Sequence, residues 1–173
     1  MAEQKPVGPE ASPAEPEAPA PVPPSRGAPG FAEYLGEGFL GQREDRGELS
    51  YWVEPACWVQ AATFLKEAGY STLSDLTAVD YLDRTPRFDI SVILLDQETV
   101  QEIRLKTMVD RGVHTLTELW PGANWFEREV FDLFGLVFDG HPNLVRLLLP
   151  SDYQGHPLRK DYPVTGPPTS MYR

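Results

Sequence analysis

Apolar and polar positions along this chain follow two periods, and each period predicts its own kind of element. Residues 49–53 read as a short strand. After Pro55, the apolar Trp58, Ala61, Ala62 and Leu65 recur at the i, i+3, i+4, i+7 spacing of a helix that Gly69 ends. Residues 73–81 mix β-branched and apolar side chains as a strand does, interrupted by Ser74, Asp75 and Asp80. The strongest strand signal is the FDISVILL run at 88–95, nearly continuous in apolar residues and suited to the middle of a sheet. Over 101–109, Ile103, Leu105 and Thr107 alternate with Glu102, Arg104 and Lys106, so this strand turns a polar face to water or to a partner. The connection 96–99 is short enough for a hairpin, which predicts antiparallel neighbours.

A second helix is predicted over 125–134. Asn124 stands at the N-cap with Glu127 reaching back as a capping box, and Gly135 supplies a left-handed stop. Phe126, Val130, Leu133 and Phe134 form one apolar stripe, while Trp125 and Phe131 lie off it. A helix apolar on more than one side is covered from two directions, here by its own sheet and by a second cover such as another subunit. Arg128 and Asp132, four apart, are placed for a surface pair, and Glu129 shares a flank with Asp132. Beyond Gly140, Pro142, Pro150, Pro157 and Pro163 forbid long helices, so residues 140–173 read as an extended arm. Leu144, Val145, Leu147, Leu148 and Leu149 supply more apolar surface than a free loop leaves in water. They are expected to be buried, under the sheet or against a partner. Arg146, Arg159 and Lys160 form a basic cluster fit to pair with carboxylates across an interface, with Asp161 and Tyr162 continuing a polar rim.

Composition narrows the function. With 173 residues and 41% hydrophobic content, the chain holds one ordinary domain with a real core. The expected class is α+β, a two-layer α/β domain with a mixed sheet over 31–139. Residues 1–30 carry nine of the eighteen prolines and few large apolar groups, and are expected to be a disordered tail. A net charge of −11 disfavours a nucleic-acid partner or direct adhesion to an anionic membrane. The single cysteine, Cys57, forms no internal disulfide and cannot alone anchor an iron–sulfur cluster. No apolar run is long enough to span a bilayer and no charged-then-apolar leader is seen, so membrane association is expected only through a partner.

The candidate chemistry is thin. Glu129 and Asp132, with His141 and His156 downstream, are the residues from which a metal site or an acid–base pair would be built. Each histidine precedes a proline and neither belongs to a ligand-spaced pair, so hydrogen bonding to backbone carbonyls left unpaired by the irregular path explains them better. His114 lies in a loop-like stretch, and no glycine-rich phosphate loop is present.

The block from Asn124 to Pro163, with its W-F-E-R-E start, two Gly-His-Pro triplets and closing Arg-Lys-Asp-Tyr-Pro, resembles the C subunit, or 30 kDa subunit family, of the proton-pumping NADH:quinone oxidoreductase, respiratory complex I. The likeness extends more loosely back to about residue 49. Two positions depart from the pattern: Val145 stands where many members are basic, and Tyr153 where many carry Trp. The resemblance implies a non-redox structural subunit of the peripheral arm, with no catalytic, cofactor or metal site of its own, in an assembly that contains FMN and iron–sulfur clusters. It implies an arm that packs on the D subunit, which helps build the quinone site, with the B subunit a further neighbour, at the cytoplasmic face of the cell membrane. The interface residues it implies are Trp125, Glu129, Asp132, His141, Pro142, Arg146, Leu148, Pro150, His156, Pro157, Arg159, Lys160, Asp161 and Tyr162. The equivalent subunit of a membrane-bound hydrogenase-type complex is the alternative, and a free-standing metal-dependent hydrolase the remote one.

Overall fold

In a computed structural model, which describes residues 27–165, five strands form one mixed sheet. The expected tail lies outside the described residues up to position 26. A short helix α1 (Phe31–Leu35) leads into β1 (Phe39–Asp45) and β2 (Glu48–Val53), then α2 (Trp58–Glu67), β3 (Thr72–Asp80), β4 (Phe88–Asp96) and β5 (Gln101–Val109). After β6 (Gly112–His114), α3 (Ala123–Phe134) and β7 (Val137–Asp139), residues 140–165 contain no helix or strand.

The strand order is β1-β2-β5-β4-β3, antiparallel throughout except for the parallel β2–β5 pair, and β6 and β7 form a separate parallel pair. Leu95 pairs with Glu102 and Asp96 with Gln101, so the predicted hairpin closes there. β4 sits inside the sheet, as its apolar run requires: Ile90, Val92 and Leu94 are wholly buried. β5 alternates as expected, with Ile103, Leu105 and Thr107 turned to the core. The stripe Trp58, Ala61, Ala62 and Leu65 of α2 is fully buried, as its spacing predicts.

β1 is not evident from the sequence. Its FLGQRED run is mostly polar and exposed, as suits an edge strand. It is held by a two-residue turn in which Arg46 and Gly47 both take positive φ, 53° and 83°, the conformation that matches hairpin twist.

Helix α3 begins two residues before its predicted start, and the expected capping box does not form. Gly122 is the N-cap without a side-chain bond. The amides of Ala123, Asn124 and Trp125 already donate to the carbonyls of Trp120, Pro121 and Gly122. With the first turn satisfied by backbone, Glu127 is released to another role. Gly135 does end the helix as expected, at φ 72°.

Candidate functional site

Two of the places where the irregular arm is bound to its own domain are organised by carboxylates. At the first, the Asp132 side chain is wholly shielded from solvent at the end of α3. One of its oxygens, Oδ2, accepts the amides of Leu147, Leu148 and Leu149 at 3.1, 2.9 and 2.9 Å, and the other accepts Arg146 Nη1 at 2.5 Å. The Leu-Leu-Leu run therefore presents three consecutive backbone donors to one anion. Burial pushes the Asp132 carboxyl up, but these amides and Arg146 together outweigh it and hold the group below the ordinary carboxylate range. The expected Arg128–Asp132 surface pair is absent from the structure. Arg128 instead donates to the carbonyls of Val145 and Arg146 at 3.1 and 3.0 Å, tying the outer flank of α3 to the arm.

The last carbonyls of α3, which lack intrahelical partners, are satisfied from the same arm. His156 Nδ1 donates to the Asp132 carbonyl at 2.9 Å and the Leu158 amide to that of Leu133 at 3.1 Å. Arg159 donates to the carbonyls of Phe134 and Gly135. A Cβ on Gly135 would lie 2.6 Å from the His156 ring, so this glycine serves both the left-handed turn and the close approach of the arm. Gly155 (φ 96°) repeats the logic, because a Cβ there would meet the Tyr162 ring at 2.6 Å.

The second anchor lies at the turn end of the β3–β4 hairpin. Arg87 makes a two-pronged pair with the buried Asp80, at 2.7 and 2.6 Å, and reaches Asp161 of the arm at 3.1 and 2.8 Å. The Lys160 amide donates to Asp80 Oδ2 at 2.8 Å. Arg87 holds both carboxyls below the usual range. Tyr162 closes the arm on itself through a 2.7 Å contact with the Tyr153 hydroxyl. Neither Asp80 nor Arg87 is legible as a site residue in the sequence, because Asp80 ends a strand that already carries Ser74, Asp75 and Thr77.

Glu127 forms a third buried node. Its side chain is fully enclosed and accepts the Thr115 hydroxyl at 2.5 Å and the Leu116 amide at 2.7 Å, joining α3 to the segment after β6. Burial is the largest influence on its carboxyl and raises the pKa. A raised folded-state value means stability that is present below the unfolded pKa and declines as pH rises through the folded one. Glu127→Gln is therefore expected to flatten that decline. Urea denaturation from pH 5 to 8 checks this, by comparing the slope of stability against pH in the two proteins.

His141 donates from Nε2 to the Asn124 carbonyl at 3.3 Å and accepts the Asn143 amide on Nδ1 at 3.0 Å, with Nε2 also 4.0 Å from a Glu127 carboxylate oxygen. The expectation that both histidines bond backbone carbonyls thus describes His141 and His156. Of the four residues considered for metal or acid–base chemistry, His156 meets Asp132 through the backbone carbonyl alone, His141 bonds the Asn124 carbonyl, and Glu129 is exposed while the Asp132 carboxylate is filled by the arm's donors. Among the described residues no group of three or more His, Cys, Asp or Glu side chains is arranged to hold a metal ion.

Of the residues expected at an interface, Asp132, His141, His156, Arg146, Arg159 and Asp161 make these intramolecular bonds. Trp125, Glu129, Pro142, Leu148, Pro150 and Lys160 are exposed, and Pro157 and Tyr162 are half-buried. The leucine run is only partly covered: Leu144 packs on the core, whereas Leu148 is 60% and Val145 47% exposed. The second cover of α3 is thus the chain's own arm, and Trp125 remains 56% exposed beyond it, under the Arg128 guanidinium.

An α+β domain that clasps its own C-terminal arm and leaves apolar groups facing outward has the character of an assembly part. Residues 51–168 match the family described as respiratory-chain NADH dehydrogenase, 30 Kd subunit. Similar proteins include the NADH-quinone oxidoreductase C subunit of Roseiflexus castenholzii, 49% identical over 136 residues, covering 75% of this chain and 78% of the relative. That of Geotalea uraniireducens is 39% identical, covering 82% and 88%. Among solved structures, a trypsin-resistant fragment of Nqo5 aligns with a TM-score of 0.59 at 29% identity, over 66% of this chain and 96% of the fragment. A chain of the archaeal membrane-bound sulfane sulfur reductase shares the fold, with a TM-score of 0.68 at 21% identity over 78% and 82%. The chain belongs to the 30 kDa subunit family of respiratory-chain NADH dehydrogenase, and is a peripheral-arm subunit of NADH-quinone oxidoreductase, respiratory complex I.

Proposed function

We propose that this chain is a scaffold that binds no redox centre itself and docks onto the neighbouring D subunit, with the B subunit a further contact, through the outer side of its clasped arm. The observation that carries this reading is the division of labour in the arm. Its polar inner side is bonded within the chain, while its Val145 and Leu148, together with Trp125 of α3, face outward. Apolar side chains of this size on a rigid base, with Lys160 exposed on the same arm, make an apolar centre with a charged rim. FMN and iron–sulfur clusters of the assembly belong to other subunits on this reading. The chain's place at the cytoplasmic face of the membrane is reached through its partners; no helix among the described residues is long and apolar enough to cross a membrane.

Arg159 is unsuitable for testing the interface, because its guanidinium caps α3. Trp125→Glu combined with Leu148→Glu is expected to reduce recovery of the D subunit with the tagged chain at least tenfold, and Lys160→Glu alone severalfold. The thermal midpoint of the isolated chain should stay within about 2 °C, since these are exposed positions. Unchanged recovery of the D subunit would refute this docking face.

A further inference from the structure

The sheet face opposite the buried residues of β5 holds a cleft of about 360 Å³ between the β1–β2 hairpin and β5. Arg43, Arg46, Arg104 and Lys106 line it, with Trp52 on one wall and the nearly buried Ser50. Among the described residues Asp45 and Glu48 are its only acidic lining residues, so there four cations meet two anions on a chain of net charge −11. Arg104 Nη2 lies 3.0 Å from Glu48 and Arg43 3.6 Å from Asp45. Both pairs are open to water and weakly held, and a competing carboxylate can replace them. Lys106 is placed differently. Its ammonium lies 5.0 Å from the centre of the Trp52 ring, its neighbour across the parallel β2–β5 ladder. An indole face attracts the ammonium without neutralising it. Burial, then repulsion from Arg104, depresses its pKa, and the weak attraction of Asp89 does not offset them.

We propose that this cleft receives a carboxylate from an acidic segment of a neighbouring subunit, held by Lys106 and Arg104 against the Trp52 wall. The inference rests on membership of the complex and concerns a surface separate from the arm. Charge complementarity is its basis: the cleft concentrates cations on an acidic protein, and its guanidinium forks match the geometry of a carboxylate. Three adjacent strands form the floor, which leaves the cleft open in the manner that suits a side chain presented by another protein surface.

The test uses the intact, gently solubilised complex and a water-soluble carbodiimide. The reagent, with a proton from solvent, activates a carboxylate as an O-acylisourea, the Lys106 amine attacks the activated carbonyl to form an amide, and the C–O bond to the reagent breaks as the leaving isourea takes the amine proton and departs as a urea. Peptide mapping is expected to find Lys106 joined to an acidic peptide of another subunit, with the yield reduced severalfold in Arg104→Gln complexes of unchanged subunit composition. Finding Lys106 joined only to carboxylates of its own chain would overturn the proposal. So would equal acetylation of Lys106 by an N-hydroxysuccinimide ester in the free chain and in the complex. Protection of Lys106 in the free chain by millimolar inorganic phosphate, with no intersubunit cross-link, would assign the cleft to a small anion instead. Failure of the chain to purify with the complex at all would overturn the assembly reading, and with it this proposal.

Discussion

Asp132→Ala is expected to destabilise the chain by about 3–5 kcal/mol, the scale for removing one partner of a buried ion pair. The substitution leaves the Arg146 guanidinium without its carboxylate and the amides of Leu147, Leu148 and Leu149 without an acceptor. Arg146 also donates to the Gly155 carbonyl, so its displacement loosens the segment that carries His156 and Arg159 to the end of α3. Much of the loss is therefore expected as local opening of residues 146–159 ahead of global unfolding. Limited proteolysis should cut the variant within this stretch while the sheet stays resistant. Acid should imitate the substitution. Because the folded-state pKa of Asp132 is depressed, its stabilisation is present above the unfolded value near 4 and is lost as pH falls through the folded value. A variant with wild-type urea stability and an uncut arm would exclude this anchor.

Asp80→Ala carries the second large effect, about 3 kcal/mol. Hydrogen bonds to charged groups contribute roughly 1.5–3 kcal/mol, and here the two-pronged pair with Arg87 and the Lys160 amide are lost together. The cost stays below that of a fully enclosed pair because Arg87 is 22% exposed and keeps Asp161. Arg87→Met is expected to cost at least as much as Asp80→Met. It strands a buried carboxylate with a single amide donor, whereas Arg87 deprived of Asp80 still has Asp161 and water. Chemical denaturation of the three variants, with a double-mutant cycle between positions 80 and 87, gives the coupling directly. A coupling near zero would mean that the pair is incidental to the arm's attachment.

How much of this was legible follows from what each residue interacts with. β4 and β5 were readable because their side chains answer to neighbours in the sheet: β5 shows a period of two over nine residues, and β4, covered on both faces, a nearly continuous apolar run. The stripe of α3 was readable for the same reason. β1 was not, since an exposed edge strand held by a turn leaves no apolar period, and three-residue strands such as β6 and β7 are too short to show one. The polar nodes were the hardest. Glu127 has the spacing of a capping residue, and only the early backbone turn at Gly122 reveals that it is free to be buried. Asp80 and Asp132 look like surface carboxylates until the arm is seen to return over them from eighty and sixteen positions away. The roles of His141 and His156 were readable, because a proline-broken path leaves carbonyls that need donors.

On this structure the arm is held by its own domain before any partner binds. Amide hydrogen exchange of the isolated full-length chain, resolved by NMR at Leu147, Leu148 and Leu149, tests it most directly. All three amides are expected to be protected in the free chain and to lose that protection together in Asp132→Ala. Exchange at the rate of an unstructured peptide in the free chain, with protection arising only inside the complex, would contradict it.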